Sequence, residues 1–134
     1  MTPIIALKQA LRAALAADAA LLAQLGGPKI YDDVPRAATA PYVAFGDVTV
    51  RDNGTATDRG HITELQIILW SRQGGSREAL ALADLVHVLL DDGTLPLAGH
   101  RMVQCRVTSI EARRTPEKDL TRATLRLRIV TEVI

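Results

Sequence analysis

Leu120-Thr121-Arg122-Ala123-Thr124-Leu125-Arg126-Leu127-Arg128-Ile129-Val130-Thr131-Glu132-Val133-Ile134 is the stretch whose reading decides the fold. Ala123, Leu125, Leu127 and Ile129 alternate with Arg122, Thr124, Arg126 and Arg128. Successive side chains of a strand leave it on opposite faces, so one apolar and one basic set at a period of two predicts a half-buried strand. The apolar set faces a core and the arginines face outward.

The same period recurs toward the N-terminus. Residues 101–110 predict a partner strand, with Val103, Cys105 and Val107 inward and Gln104, Arg106 and Thr108 outward. The segment 113–119, with Pro116, reads as a polar turn. Residues 61–71 place Leu65, Ile67 and Leu69 on one face, and Ile68 and Trp70 make the other face apolar too. That predicts a central or half-covered strand. Residues 42–51 alternate Val43 and Phe45 against Tyr42 and Ala44, then continue through Val48 and Val50. The polar, glycine-bounded segment 52–60 between these strands reads as a mobile hairpin loop.

Helical spacing appears twice on a longer scale. Ile4, Leu7, Leu11 and Leu15 form one stripe over residues 3–17, with Thr2 as its cap and Pro3 in the first turn. Asp18 then reads as the cap of a short helix over 19–25 that stops at Gly26-Gly27. Ser76 reads as the cap of a helix over 77–90 whose buried stripe is Leu82, Leu85, Val86 and Leu89. Residues 29–41 are irregular, with Ile30-Tyr31 of short-strand composition. The predicted fold is α+β: a four-stranded, mostly antiparallel sheet with two main helices packed on one face, in one domain over 1–134.

Composition excludes several functions. The 134 residues carry a net charge of +1, one Cys and three His. Cys105 alone forms no internal disulfide, and one Cys with scattered His makes no zinc site. A charge of +1 argues against a nucleic-acid binder that works by bulk charge. With 48% hydrophobic residues the chain is too apolar for disorder. Lys8 and Arg12 interrupt the first apolar stretch, so neither a signal peptide nor a membrane span is expected. The charge is unevenly placed, however. Residues 1–100 hold 8 Lys+Arg against 11 Asp+Glu, a net of −3, while residues 101–134 hold 8 against 4, a net of +4.

No catalytic constellation emerges. His61, His87 and His100 share no i, i+4 spacing, Cys105 alternates with apolar neighbours, and Asp32-Asp33 and Asp91-Asp92 stand at turns. The expectation is no enzyme, no cofactor and no metal. The most suggestive feature is the arginine ladder Arg106, Arg122, Arg126 and Arg128. It reads either as a solvated sheet face or as a subunit or partner interface, where arginine is enriched. The loop residues Asp52, Asn53, Thr55, Asp58 and Arg59 are a second candidate, as a partner-binding loop.

Taken in order, a set of short motifs resembles a known family. The set comprises Ala6-Leu7-Lys8-Gln9-Ala10-Leu11, Asp18-Ala19-Ala20-Leu21-Leu22, Leu25-Gly26-Gly27 and Ile30-Tyr31-Asp32-Asp33-Val34-Pro35. It continues through Ala40-Pro41-Tyr42-Val43-Ala44-Phe45-Gly46-Asp47, Trp70-Ser71-Arg72-Gln73-Gly74-Gly75 and Leu97-Ala98-Gly99-His100-Arg101. Together they resemble the small tail-terminator, or tail-completion, proteins of long-tailed phages, prophages and gene transfer agents, over nearly the whole chain.

The resemblance implies a structural protein that assembles as a hexameric ring. Such a ring caps the tail tube, ends its polymerisation and joins the tail to the head or neck. The implied partners are further copies of the chain, the tail tube protein and a neck or stopper protein, and DNA passes through the lumen without sequence-specific binding. The implied location is the virion tail or neck, after assembly in a bacterial cytoplasm, with no membrane involved. The family supplies no catalytic residues to carry over. Another neck component, such as a head-closure protein, is the alternative. A small enzyme acting on nucleic acid and a generic DNA-binding module are rivals from other classes.

Overall fold

The C-terminal alternation enters the sheet as read: Ala123, Leu125, Leu127 and Ile129 are at most 1% exposed. A computed structural model of the chain describes residues 2–134. Among them, in chain order, are helices α1 (Ile4–Ala16) and α2 (Ala19–Leu25), strands β1 (Ile30–Tyr31), β2 (Tyr42–Asp52) and β3 (Gly60–Ser71), and helix α3 (Arg77–Leu90). Strands β4 (Pro96–Leu97) and β5 (His100–Thr115), a 3-10 turn (Pro116–Lys118) and strand β6 (Leu120–Val133) follow.

The sheet order is β1-β2-β3-β6-β5-β4. β1 runs parallel to β2, and the other neighbouring pairs are antiparallel. This corrects the expected four-stranded sheet with two main helices. The sheet is mixed and six-stranded, and α2 joins α1 and α3 over the same core. Both added strands are two residues long. So short a strand has no period to read, and what lies beside it decides whether it exists. The Val43 N–H donates to Lys29 O at 2.9 Å and draws β1 onto β2. Gly99, at φ 75°, turns the chain so that Pro96 and Leu97 pair with Arg101 and His100.

β5 corrects the expected inward set. Val103 is 49% exposed while Met102 is buried. The register with β6 slips between Met102 and Gln104, and again between Val107 and Ser109. Each slip sets an extra residue of β5 against its partner and reverses the phase of the alternation. Cys105 and Val107 therefore face the core, and after the second slip Ile110 and Ala112 do, opposite Leu125 and Ala123. β5 also runs on to Thr115, through residues read as turn.

One core joins the three helices to the inner sheet face. Leu7, Leu11 and Leu15 of α1, Leu21 and Leu25 of α2, and Leu82 and Val86 of α3 meet Leu65, Ile67, Leu69 and the β6 apolar row. Leu85 and Leu89 are only partly buried, and Ala79, Ala83 and Leu90 are buried instead. α2 ends as read, with Gly26 left-handed and the Gly26 and Gly27 N–H groups on Leu22 O. The expected side-chain caps are not made. Pro3 rather than Thr2 stands at the start of α1, and neither Asp18 nor Ser76 bonds its helix through its side chain. Instead the Ser71 hydroxyl donates to the Glu78 carboxylate at 2.6 Å, tying the first turn of α3 to the end of β3.

One end of the outer face is also covered. Ala40, Tyr42, Ala44 and Trp70 are buried together, with Ala38 of the irregular segment against them. The Lys118 ammonium lies 4.7 Å from the Trp70 ring centre. The apolar second face of β3 is thus explained by the 32–41 segment folding over it, and the rest of that face stays open.

Candidate assembly interface

Strand register builds the arginine ladder. Arg128 of β6 stands opposite Arg106 of β5 on one side and Glu64 of β3 on the other. Arg126 stands between Gln66 and Ser109, and Arg122 between Trp70 and Arg113. All four predicted arginines are on the outer face, because each alternates with the buried β6 row or pairs with a residue that does. A cleft at the middle of this face is lined by Asp47, Glu64, Gln66, Thr108, Arg126 and Arg128 among others.

The four do not share one environment. The Arg106 Nε lies 3.4 Å from Asp91 Oδ1 and 3.7 Å from Asp92 Oδ1, at the end of α3. The Arg128 Nη1 donates to Gln104 Oε1 at 3.4 Å. Arg122 and Arg126 make no ion pair among the described residues. Asp91 has work beyond ending its helix. Its Oδ1 accepts the Val107 N–H at 2.8 Å, and that bond, helped by the Arg106 guanidinium, holds its carboxyl below the usual range. The Asp92 N–H donates to Cys105 O, so both acids stitch the helix end to β5.

The loop candidates lie apart from the ladder. Asp52 closes β2 and its Oδ1 accepts the Gly54 N–H at 3.0 Å. Thr55 Oγ1 accepts the Asp58 N–H at 3.1 Å, and the Thr55 N–H donates to Asp58 O at 2.7 Å. The Asn53 N–H donates to Gly60 O, and Arg59 O accepts the Val133 N–H at 3.0 Å. The loop is therefore internally bonded and pinned to the end of β6. No hydrogen bond joins it to a ladder arginine among the described residues.

The chain brings together one group that its sequence separates. His61 and His100 meet edge-on, with ring centres 6.2 Å apart. Thr63 and Thr131 are fully buried nearby, since His61 pairs with Thr131 and His100 with Val133. His61 Nδ1, Thr63 Oγ1, His100 Nδ1 and Thr131 Oγ1 are buried without a partner among the described residues. Burial, then the neighbouring His61, lowers the His100 pKa. The signal that groups these residues is pairing register, which no single segment contains. Cys105 is buried, and burial with Asp91 nearby pushes its thiol up to about 11, away from nucleophilic chemistry. Among the described residues, no three His, Cys, Asp or Glu are placed to hold a metal. No helix among them is long and apolar enough to cross a membrane.

Residues 9–132 match the family described as Tail completion protein gp17. The chain belongs to that family. A solved chain from the virion of a native gene transfer agent particle has 32% sequence identity to this one and a TM-score of 0.89, with 98% of each chain covered. No curated protein matches. For a member of the tail completion family, the outer sheet face and the sheet edges are the surfaces of interest for assembly with a neighbour.

Proposed function

We propose that this protein forms a ring, of six copies, that caps the tail tube, ends its polymerisation and joins the tail to the head or neck. The family gives the coarser statement by itself: a structural role in phage-tail assembly, exercised in the virion tail. The observation that carries the finer reading is the match over 98% of both chains to a component of a gene transfer agent virion.

The ladder fits the reading. Arg122 and Arg126, which make no ion pair among the described residues, are available for bidentate pairing with a neighbour, and the −3 and +4 halves suit head-to-tail contacts. In this proposal the neighbours are the tail tube protein on one side and a stopper protein on the other, with DNA passing through the lumen. Assembly takes place in the bacterial cytoplasm. Deletion is expected to give over-long or unjoined tails, scored by electron microscopy. Tails of normal length without heads, and label found only at the head vertex, favour the head-closure alternative. Normal tails joined to heads overturn both.

A further inference from the structure

Both long edges of the sheet leave a stretch open to a neighbour. β1 pairs with β2 only at Val43 and Ala44, so residues 45–52 have no strand on that side, and beyond a register slip between Phe45 and Val48 the run 48–52 alternates regularly. β4 pairs with β5 only at His100 and Arg101, so residues 102–115 have no strand on that side, and because the helix end engages Cys105 and Val107 the stretch free of both is 108–115. Each open stretch is eight residues long. Along such an edge alternate backbone N–H and C=O groups point away from the sheet and form a template for another strand.

The side chains of the two edges are complementary. Val48 and Val50 of β2 face the core side, opposite Leu65 and Thr63, yet are only half-buried. Ile110 and Ala112 of β5 face the same side, opposite Leu125 and Ala123, and are also half-buried. Each edge thus ends the core with two apolar side chains covered on one flank only. On the outer side β2 carries Asp47, Thr49 and Arg51, and β5 carries Ser109, Glu111 and Arg113.

We propose that the β2 edge of one copy pairs with the β5 edge of a second copy of this chain. The strands run antiparallel, with Val48 opposite Ala112 and Val50 opposite Ile110. This rests on the ring reading above and names its seam. The register completes the core layer across the seam and sets Asp47 opposite Arg113. A slip of one residue turns the valines toward Glu111 and the outer face. Direction agrees as well. β2 and β5 are antiparallel within a chain, because three antiparallel steps separate them. Rotation about an axis along the strands preserves direction, so a neighbour's β2 meets β5 antiparallel with the same face inward. The two edges differ from each other, so the contact is head-to-tail and can close a ring.

The test uses the full chain with Thr49→Cys and Glu111→Cys together. Both sites are exposed and face each other across the proposed seam, while the native Cys105 is buried. Oxidation of assembled protein is expected to give a ladder of covalent multimers up to the ring size, absent from either single variant. Backbone amides of 108–115 are expected to exchange at least tenfold more slowly in the ring than in the monomer. Rings that form without cross-linking and without that protection overturn the seam and leave the ring reading intact. A cross-link to another tail protein instead of a second copy also overturns it. A chain that forms no ring, alone or on tail tubes, overturns the ring reading and the seam with it.

Discussion

Arg106 and Arg128 stand directly opposite each other on β5 and β6. Like charges at such a position destabilise a sheet, by roughly 0.2–1 kcal/mol on the usual scale of cross-strand pairs. The fold draws them apart: Arg106 turns to Asp91 and Asp92 at the end of α3, and Arg128 turns to Gln104. Asp91 therefore serves the helix end, the Val107 amide and the arginine pair at once.

Asp91→Asn is expected to lower the melting temperature at neutral pH more than Asp92→Asn does. Asp91 keeps its charge more readily folded than unfolded, so its contribution is complete above the ordinary carboxylate pKa of 3.8 and fades as pH falls below it. Melting curves of the wild type and Asp91→Asn should converge in acid. A constant gap between them at every pH disproves the assignment.

Arg126→Glu tests the ladder. The side chain is exposed and unpaired among the described residues, so the monomer should change by less than about 0.5 kcal/mol. The ring should be lost. Circular dichroism reports the first and native mass spectrometry the second. Intact rings return the ladder to a solvated face.

Leu125→Ala tests the core reading of β6. Leu125 is fully buried beneath the helices, so truncation should cost about 2–5 kcal/mol. Urea unfolding at neutral pH measures it. A loss under about 1 kcal/mol would mean that the site collapses around the smaller side chain.

His100 should make stability pH-dependent in a separate window. Its folded pKa lies below the ordinary 6.5, so the unfolded chain takes up the proton first. Stability is complete above about pH 6.5 and declines as pH falls through that value. His100→Leu should flatten the decline between pH 7 and 5 in thermal melts. An unchanged slope in that variant rules out His100 as its source.

The loop carrying Asp52, Asn53, Thr55, Asp58 and Arg59 is the remaining partner candidate. Its amides should exchange more slowly when the protein sits on a tail tube than when it is free. Equal exchange in both states removes the loop from the binding surface.

Periodicity carried the sequence reading a long way. The β6 row and the apolar stripe of α1 were legible because each repeats over four positions, and the two faces of β3 because Leu65, Ile67 and Leu69 recur at every second position while Ile68 and Trp70 fill the other side. The outward placement of the four ladder arginines was legible for the same reason. Val103 was not, because a register slip is a property of two strands and leaves no mark on one. Nor were β1 and β4, whose two residues pair only because other strands wait beside them.

The sequence by itself determined which residues are apolar, at what spacing, and hence that helices and strands would share one core. It also carried the ordered motifs by which the chain resembles tail-completion proteins. Only the tertiary structure decided which arginines meet, which acids answer Arg106, and that His61 and His100 share a buried place. It also decided that two eight-residue stretches of edge stay open. The physical reason is range. Side-chain alternation is fixed by local backbone geometry, whereas register, bulges and free edges depend on segments tens of residues apart settling against one another.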